Sequence, residues 1–388
     1  MNEYNFTEDQ LMIRDLARQI AEDKIRPVRA ELDEKDEFPE EIIKVMADSD
    51  LFAIFVPEEY GGLGGGAMEL CIATEELSKV CGGVAVSYAA SALGAFPIIL
   101  FGTDEQKKKF LPAIASGEKI AAFGLTEPNA GSDAGGLETT ADKDGDSYII
   151  NGSKIFITNG GAADIYTIIA MTNKAKGPRG ASAIVVEKGT DGFTFGKKEE
   201  KLGIRATVTR ELVFEDCRVP AENLLKGEGR GFIVAMKTFD KSRPGIGAQA
   251  VGIAQGAINE AVQYASERIQ FGRPVSSFQA IRHMIADMST QTEAARNLVY
   301  HAARMVDSGS KNISKISAMS KLFASDVAMQ VTTDALQIFG GYGYMKEYPA
   351  EKFMRDAKIT QIYEGTNQIQ RDVIGLEVIK ENKAKKRK

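Results

Sequence analysis

A carboxylate can act as a general base when the fold holds it away from water. Glu364 is a candidate, in Ile362-Tyr363-Glu364-Gly365-Thr366-Asn367-Gln368. Taken alone, a glutamate before glycine reads as a surface carboxylate. In a site that excludes water it would bind its proton more strongly, nearer the working pH. A second segment is Phe123-Gly124-Leu125-Thr126-Glu127-Pro128-Asn129-Ala130-Gly131-Ser132-Asp133. It has small residues and free backbone N–H groups, and Thr126 and Ser132 add hydroxyls. Such a loop can hold a phosphate or an electron-rich ring edge without a cation. It is equally well a plain turn. Arg268, in ERIQFGRPVSSFQ, suits a pyrophosphate, or simply a helix C-terminus. The glycines of Gln337-Ile338-Phe339-Gly340-Gly341-Tyr342-Gly343-Tyr344 would let a cofactor or a second subunit approach closely.

Composition removes other chemistries. The chain has 388 residues, enough for two or three domains. A formal charge of −6 argues against a nucleic-acid surface. Only His283 and His301 are present, and Cys71, Cys81 and Cys217 are widely spaced, so no zinc site is expected. A Ser-His-Asp hydrolase is disfavoured for the same shortage of histidine. The cysteine count fits a reducing cytoplasm, and MNEYNFTEDQ lacks the apolar core of a secretion signal. Gly82 to Gly102 carries no charge and is long enough to span a bilayer. Its glycines, serines and Tyr88 favour a buried helix ending in a break at Pro97, so no membrane contact is expected.

The elements that would position these residues fall into three regions. The first, 1–122, reads as helical. Thr7 with Gln10, and Thr103 with Gln106, form capping-box patterns. Pro39 opens a further helix with Ile42, Ile43 and Met46 inward. The run Gly61 to Gly66 loosely resembles a phosphate loop, but no Walker lysine follows, so a flexible turn is expected. The second region, 123–230, is β-rich. Ser147 to Ile150, Asn151-Gly152 and Lys154 to Thr158 read as a hairpin with a primed turn. Ala163 to Met171, Ala181 to Val186 and Glu211 to Phe214 read as further strands. Strands without intervening helices suggest an antiparallel barrel or sandwich. The third region, 231–388, returns to helix. Val251, Ala254, Ile258, Ala261 and Ala265 share one face, and Ile281 to Val306 and Ile316 to Ile338 are long enough for a bundle. The basic tail from Lys380 to Lys388 reads as solvated.

Taken together and in this order, the segments resemble the acyl-CoA dehydrogenase family, across roughly Phe6 to Ile379. Phe123 to Asp133 looks like its first signature, where the loop touches FAD and acyl-CoA. By that resemblance Phe123, Leu125, Thr126, Gly131 and Ser132 contact the flavin, and Ser132 also the substrate. Lys154-Ile155-Phe156-Ile157-Thr158-Asn159 is similar to the next flavin contact. There a hydroxyl, here that of Thr158, sits near flavin N5. Phe156 stands where most members have tryptophan, which keeps an aromatic face and loses an indole N–H. Ile157 belongs to the same contact. Arg268, Phe271 and Gln279, with Gln337, Ile338, Gly340 and Gly341, resemble residues that reach the FAD of an adjacent subunit. Thr366, Asn367 and Gln368 resemble further FAD contacts.

The resemblance makes Glu364 the base that takes the α-proton of the thioester while a hydride leaves the β-carbon. Its backbone N–H would polarise the thioester carbonyl. A few members carry the base in the helix after the β domain. Here that position is Ser242, in Phe239-Asp240-Lys241-Ser242-Arg243-Pro244, and serine cannot serve. Phe239, Asp240, Arg243, Tyr363 and Gly365 match substrate-side positions. The implied fold is α+β multidomain: an N-terminal α-helical domain, a central antiparallel β-barrel domain and a C-terminal four-helix bundle. The family implies FAD, an acyl-CoA substrate, electron-transferring flavoprotein as electron acceptor and a homotetramer in the cytoplasm. Ala89, Ala90, Ser91 and Ala92 are expected to line an acyl pocket without charge, for a short- to medium-chain acyl group. The same chemistry run backwards, as an enoyl-CoA reductase, stays open. So do a cyclic or aryl acyl group and a non-catalytic binding protein.

Overall fold

The computed structural model describes residues 4–310 and 312–385. Six helices come first: α1 (Glu8–Ile20), α2 (Arg29–Lys35), α3 (Glu40–Asp48), α4 (Ala67–Ser78), α5 (Gly82–Phe101) and α6 (Asp104–Ala115). Both capping boxes form. Thr7 Oγ1 accepts from Gln10 N at 3.2 Å, and Thr103 Oγ1 from Gln106 N at 3.3 Å. The glycine run before α4 is a close-packed turn, not a loose one. A Cβ on Gly62 would lie 1.9 Å from the Val56 carbonyl oxygen. The cap of α4 comes from far along the chain, since Asp307 accepts from Ala67 N at 2.6 Å and Met68 N at 2.9 Å.

α5 is apolar and long enough to cross a membrane, yet most of it is buried inside the molecule. It packs against α4 and β1 (Ala121–Gly124) and against the long helix that opens the third region. The expected break at Pro97 does not occur, because the helix continues to Phe101. A proline inside a helix costs about 3 kcal/mol through its lost hydrogen bond and its clash with the preceding turn, and burial on several sides offsets it.

The middle region continues with β2 (Thr140–Asp144), β3 (Ser147–Thr158), β4 (Ile165–Met171), β5 (Ala181–Glu187), β6 (Phe193–Lys198), β7 (Thr209–Pro220) and β8 (Leu224–Leu225). The sheet order is β6-β7-β3-β2-β4-β5-β8. It is mixed rather than antiparallel throughout, because β1 joins β4 in parallel, from Ala121 opposite Ile165 to Gly124 opposite Ile168. The hairpin at Asn151-Gly152 is also corrected. Those residues lie inside β3, where the register against β7 slips between Ile150 and Gly152. Gly152 has φ +135°, and a Cβ there would meet Thr139 Cα at 2.8 Å. The turn is Gly145-Asp146, between the paired residues Asp144 and Ser147, with φ +62° at Gly145.

The last region holds α7 (Gly231–Glu267), the ribbon β9 (Ile269–Gln270) and β10 (Arg273–Pro274), α8 (Gln279–Asp307), α9 (Ile313–Phe339), α10 (Ala350–Ile359) and α11 (Asn367–Lys385). α7 packs on α8 and α9, and α11 lies along α9. α4 joins the same apolar core through Ala67, Met68, Cys71 and Ile72. The basic tail runs on as α11 to Lys385, and residues 386–388 lie outside the described residues.

Candidate active site

Three regions meet around a cavity of about 120 Å³. α5 supplies Val86, Ala89, Ala90 and Leu93, spaced to share one helix face. β1 supplies Phe123 and the loop after it Leu125 and Thr126, and the end of β3 supplies Phe156, Ile157 and Thr158. α7 supplies Phe239 and Ile246, and the turn before α11 supplies Tyr363 and Glu364. Of the expected acyl-pocket residues only Ala89 and Ala90 face this space. Ser91 Oγ instead accepts from Ala121 N at 3.0 Å, and Ala92 is buried in the core.

The end of β3 is bent for presentation. Its pairing with β7 slips between Lys154 and Ile157, and Phe156 has φ +60°. The bend leaves the Phe156 ring 60% exposed, which a β-strand core would not tolerate without a partner. Behind it, Lys154 Nζ is fully buried and donates to Leu125 O at 3.1 Å and Glu127 Oε1 at 2.5 Å. Glu127 also accepts from Glu138 N at 2.5 Å and Thr139 N at 3.1 Å. These bonds fix the loop between β1 and β2. Gly131 and Ser132 sit on the exposed side of this loop, outside the cavity lining.

Glu364 stands in a turn where it has φ +50° and Gly365 has φ +90°. Its carboxyl is partly buried, and loss of water raises it from 4.5 to about 7. The Ser242 hydroxyl, donating to Glu364 Oε2 at 2.5 Å, and the charges of Arg243 and Lys321 pull the other way. Ser242, excluded as a base, is therefore the carboxylate's direct partner. Arg243 is 4% exposed, and Asp240 Oδ1 lies 3.6 Å from its Nη1. Asp240 also accepts from Ser314 Oγ at 2.6 Å. The Tyr363 hydroxyl donates to Gln249 Oε1.

Other expected residues lie elsewhere. The Asn367 side chain is buried and fully engaged within the chain, with Ser325, Asp326 and Lys321. Thr366 caps α11, accepting from Ile369 N at 3.3 Å, and Gln368 is exposed. Arg268, Ile338 and Gly341 line a separate concavity of about 560 Å³ with Tyr264, Phe339 and Tyr342. Arg268 lies over the Tyr342 ring at 5.3 Å. Gln337, Gly340 and Gln279 are exposed, and Phe271, at the tip of the β9–β10 ribbon, is 93% exposed. The structure thus places some of the sequence candidates on two concavities that share no lining residue, and leaves the rest outside both.

A flavin suits these surroundings. The exposed Phe156 face beside the Thr158 hydroxyl offers a flat ring both stacking and a hydrogen bond. The Arg268 guanidinium, which forms no ion pair among the described residues, suits phosphate. Sequence reading missed Lys321, Gln370 and the Lys154–Glu127 pair. A charged residue set in an apolar stripe, as Lys321 is in Ile316-Ser317-Ala318-Met319-Ser320-Lys321-Leu322, was the signal available.

Comparison with known proteins points the same way. The family model "Acyl-CoA dehydrogenase, N-terminal domain" matches residues 7–118, the middle domain 122–217 and the C-terminal domain 229–379. The chain is 53% identical to the short-chain specific acyl-CoA dehydrogenase of Clostridium acetobutylicum, over 96% of this chain and 98% of that one. It is 51% identical to acryloyl-CoA reductase (NADH) of Anaerotignum propionicum, over 97% and 96% of the two chains. The structure of butyryl-CoA dehydrogenase from Megasphaera elsdenii superposes with a TM-score of 0.95 at 50% identity, covering 97% of this chain and all of that one. Likeness of this degree along whole chains shows that the chain is an oxidoreductase and belongs to the acyl-CoA dehydrogenase family.

Proposed function

We propose that the protein is an FAD-dependent dehydrogenase of short- to medium-chain acyl-CoA thioesters, with Glu364 as the base that removes the α-proton. The observation that carries this reading is a carboxyl raised to about 7 in the wall of an otherwise uncharged cavity. Such a group is a proton acceptor near neutral pH. FAD, when bound, would supply the acceptor for the β-hydride. Phe156 would stack on the flavin ring and Thr158 would bond its edge, and Ala89, Ala90 and Leu93 would enclose the acyl chain away from water. The small cavity favours the short end of the range.

The rest of the thioester has room along α7. Seven residues, about 10 Å of helix, separate Phe239 from Phe232. Phe232 lines a cavity of about 650 Å³ with Lys176, Arg179 and Arg230. None of these three cations has an ion pair or hydrogen bond among the described residues, which suits the phosphates of CoA. The concavity around Arg268 would complete the flavin site of a neighbouring subunit in a homotetramer. Electron-transferring flavoprotein would then reoxidise the enzyme. A second reading, reduction of an enoyl-CoA, rests on the 51% identity to a reductase.

Anaerobic titration of the purified holoenzyme with saturated acyl-CoAs of increasing length, followed by flavin absorbance, tests the proposal. Bleaching strongest near four carbons is expected, weaker with acyl-pantetheines that lack the nucleotide. Failure of every saturated thioester to bleach the flavin would overturn it. Reoxidation of chemically reduced enzyme by an enoyl-CoA would then support the reductase.

A further inference from the structure

Glu364 and Gly365 are consecutive residues at positive φ, a backbone that an L side chain at Glu364 rarely adopts. Such a turn relaxes unless its carbonyls are held. Gln370 Nε2 holds both, at 3.1 Å to Glu364 O and 2.8 Å to Gly365 O. The second clamp comes from α9, where Lys321 Nζ donates to Gly365 O at 2.9 Å and Asn367 Oδ1 at 2.8 Å. Asn367 is itself fixed by Ser325, one turn beyond Lys321, at 2.9 Å, and by Asp326 at 2.7 Å. We propose that Lys321 is a positioning residue that brackets the Glu364–Gly365 turn from α9 and keeps the Glu364 carboxylate facing the cavity.

The choice of residue supports this. The Lys321 side chain is 0% exposed and forms no ion pair among the described residues. An ammonium buried without an anion is costly, and an apolar side chain would fill the same space more cheaply. Loss of water pulls Lys321 down to about 7; Glu364 and Asp326 raise it and Arg243 lowers it. Glu364 in turn faces Ser242, Arg243 and Lys321. As a cation, Lys321 therefore lowers the proton affinity of Glu364 while its hydrogen bonds hold the turn.

The inference rests on Glu364 being the base, so the test includes Glu364→Gln. Lys321→Met removes charge and bond, Lys321→Gln removes the charge and keeps a donor, and Lys321→Arg keeps the charge. Each holoenzyme is reduced anaerobically with saturating butyryl-CoA across pH, and the protonated carboxyl is titrated by infrared difference, with Glu364→Gln as blank. Lys321→Met is expected to lose at least tenfold in the reduction rate at saturation. Its carboxyl midpoint should rise. Lys321→Gln should show the same rise with a smaller rate loss, and Lys321→Arg should restore the midpoint. Unshifted midpoints with wild-type rates would overturn the proposal while a dead Glu364→Gln leaves the base assignment standing. An active Glu364→Gln would sink the base assignment instead. If Lys321→Met does not fold, the Gln and Arg variants decide through the same two readouts.

Discussion

Two carboxylates withdrawn from water, Glu127 behind the cavity and Glu364 in its wall, are treated in opposite ways. Glu127 is 3% exposed and meets Lys154 Nζ directly, and besides that pair it accepts two backbone N–H groups. The lysine and these donors hold it below the usual carboxylate range despite burial. Glu364 has cations nearby in Arg243 and Lys321, but neither pairs with it directly among the described residues. A hydroxyl is its partner, and burial wins. A direct ion pair makes a carboxylate a permanent anion and a fastener. Cations kept at second distance leave it able to exchange a proton.

The largest expected effect breaks the reactive side of this comparison. Glu364→Gln should keep flavin yet slow its reduction by acyl-CoA about a hundred- to ten-thousand-fold in anaerobic stopped flow. It should also change stability with pH. The folded carboxyl at about 7 lies above its ordinary 4.5, so the native chain binds more protons than the unfolded one in that window. Wild-type stability therefore falls as pH rises from about 4.5 to about 7, and the variant should lack that fall in denaturant titrations.

Breaking the fastener comes next. Lys154→Met leaves Glu127 buried without its partner, which should cost about 3–5 kcal/mol in chemical denaturation. Lower flavin retention should accompany it, because the loop carrying Leu125 and Thr126 loses its tie to β3.

The smallest effect sharpens the comparison. Ser242→Ala removes the hydroxyl that holds Glu364 down. The pH midpoint of flavin reduction should move up by about one unit, the equivalent of a hydrogen bond to a charged group. Rate lost at pH 7 should return at higher pH. An unmoved midpoint would mean that burial alone sets this carboxyl.

Much of this site was legible in advance because its parts are contiguous. Phe123 to Thr126, Phe156 to Thr158 and Tyr363-Glu364 each carry their pattern within a few residues. Thr7, Gln10, Thr103 and Gln106 announced two helix starts for the same reason, since a capping box closes within one turn. Errors arose where a distant partner overrules a local signal. Asn151-Gly152 is a turn signal, but β7 pairs alongside and turns it into a bulge. Pro97 is a breaker that surrounding helices overrule. The Asn367 side chain is engaged by α9, a partnership that no local pattern announces.

The sequence by itself determined the order of helical, β and helical regions and, through its motifs, the family resemblance that singled out the Glu364 carboxylate, because periodicity and motif patterns are local properties of the chain. Tertiary structure alone decided what surrounds that carboxylate. Ser242 reaches it from 122 residues away, Lys321 bears on it from α9, and the cations stop short of contact. Proton affinity depends on solvent exclusion and on distances between charges, and these exist only once α5, α7, α9 and β3 have closed around the turn.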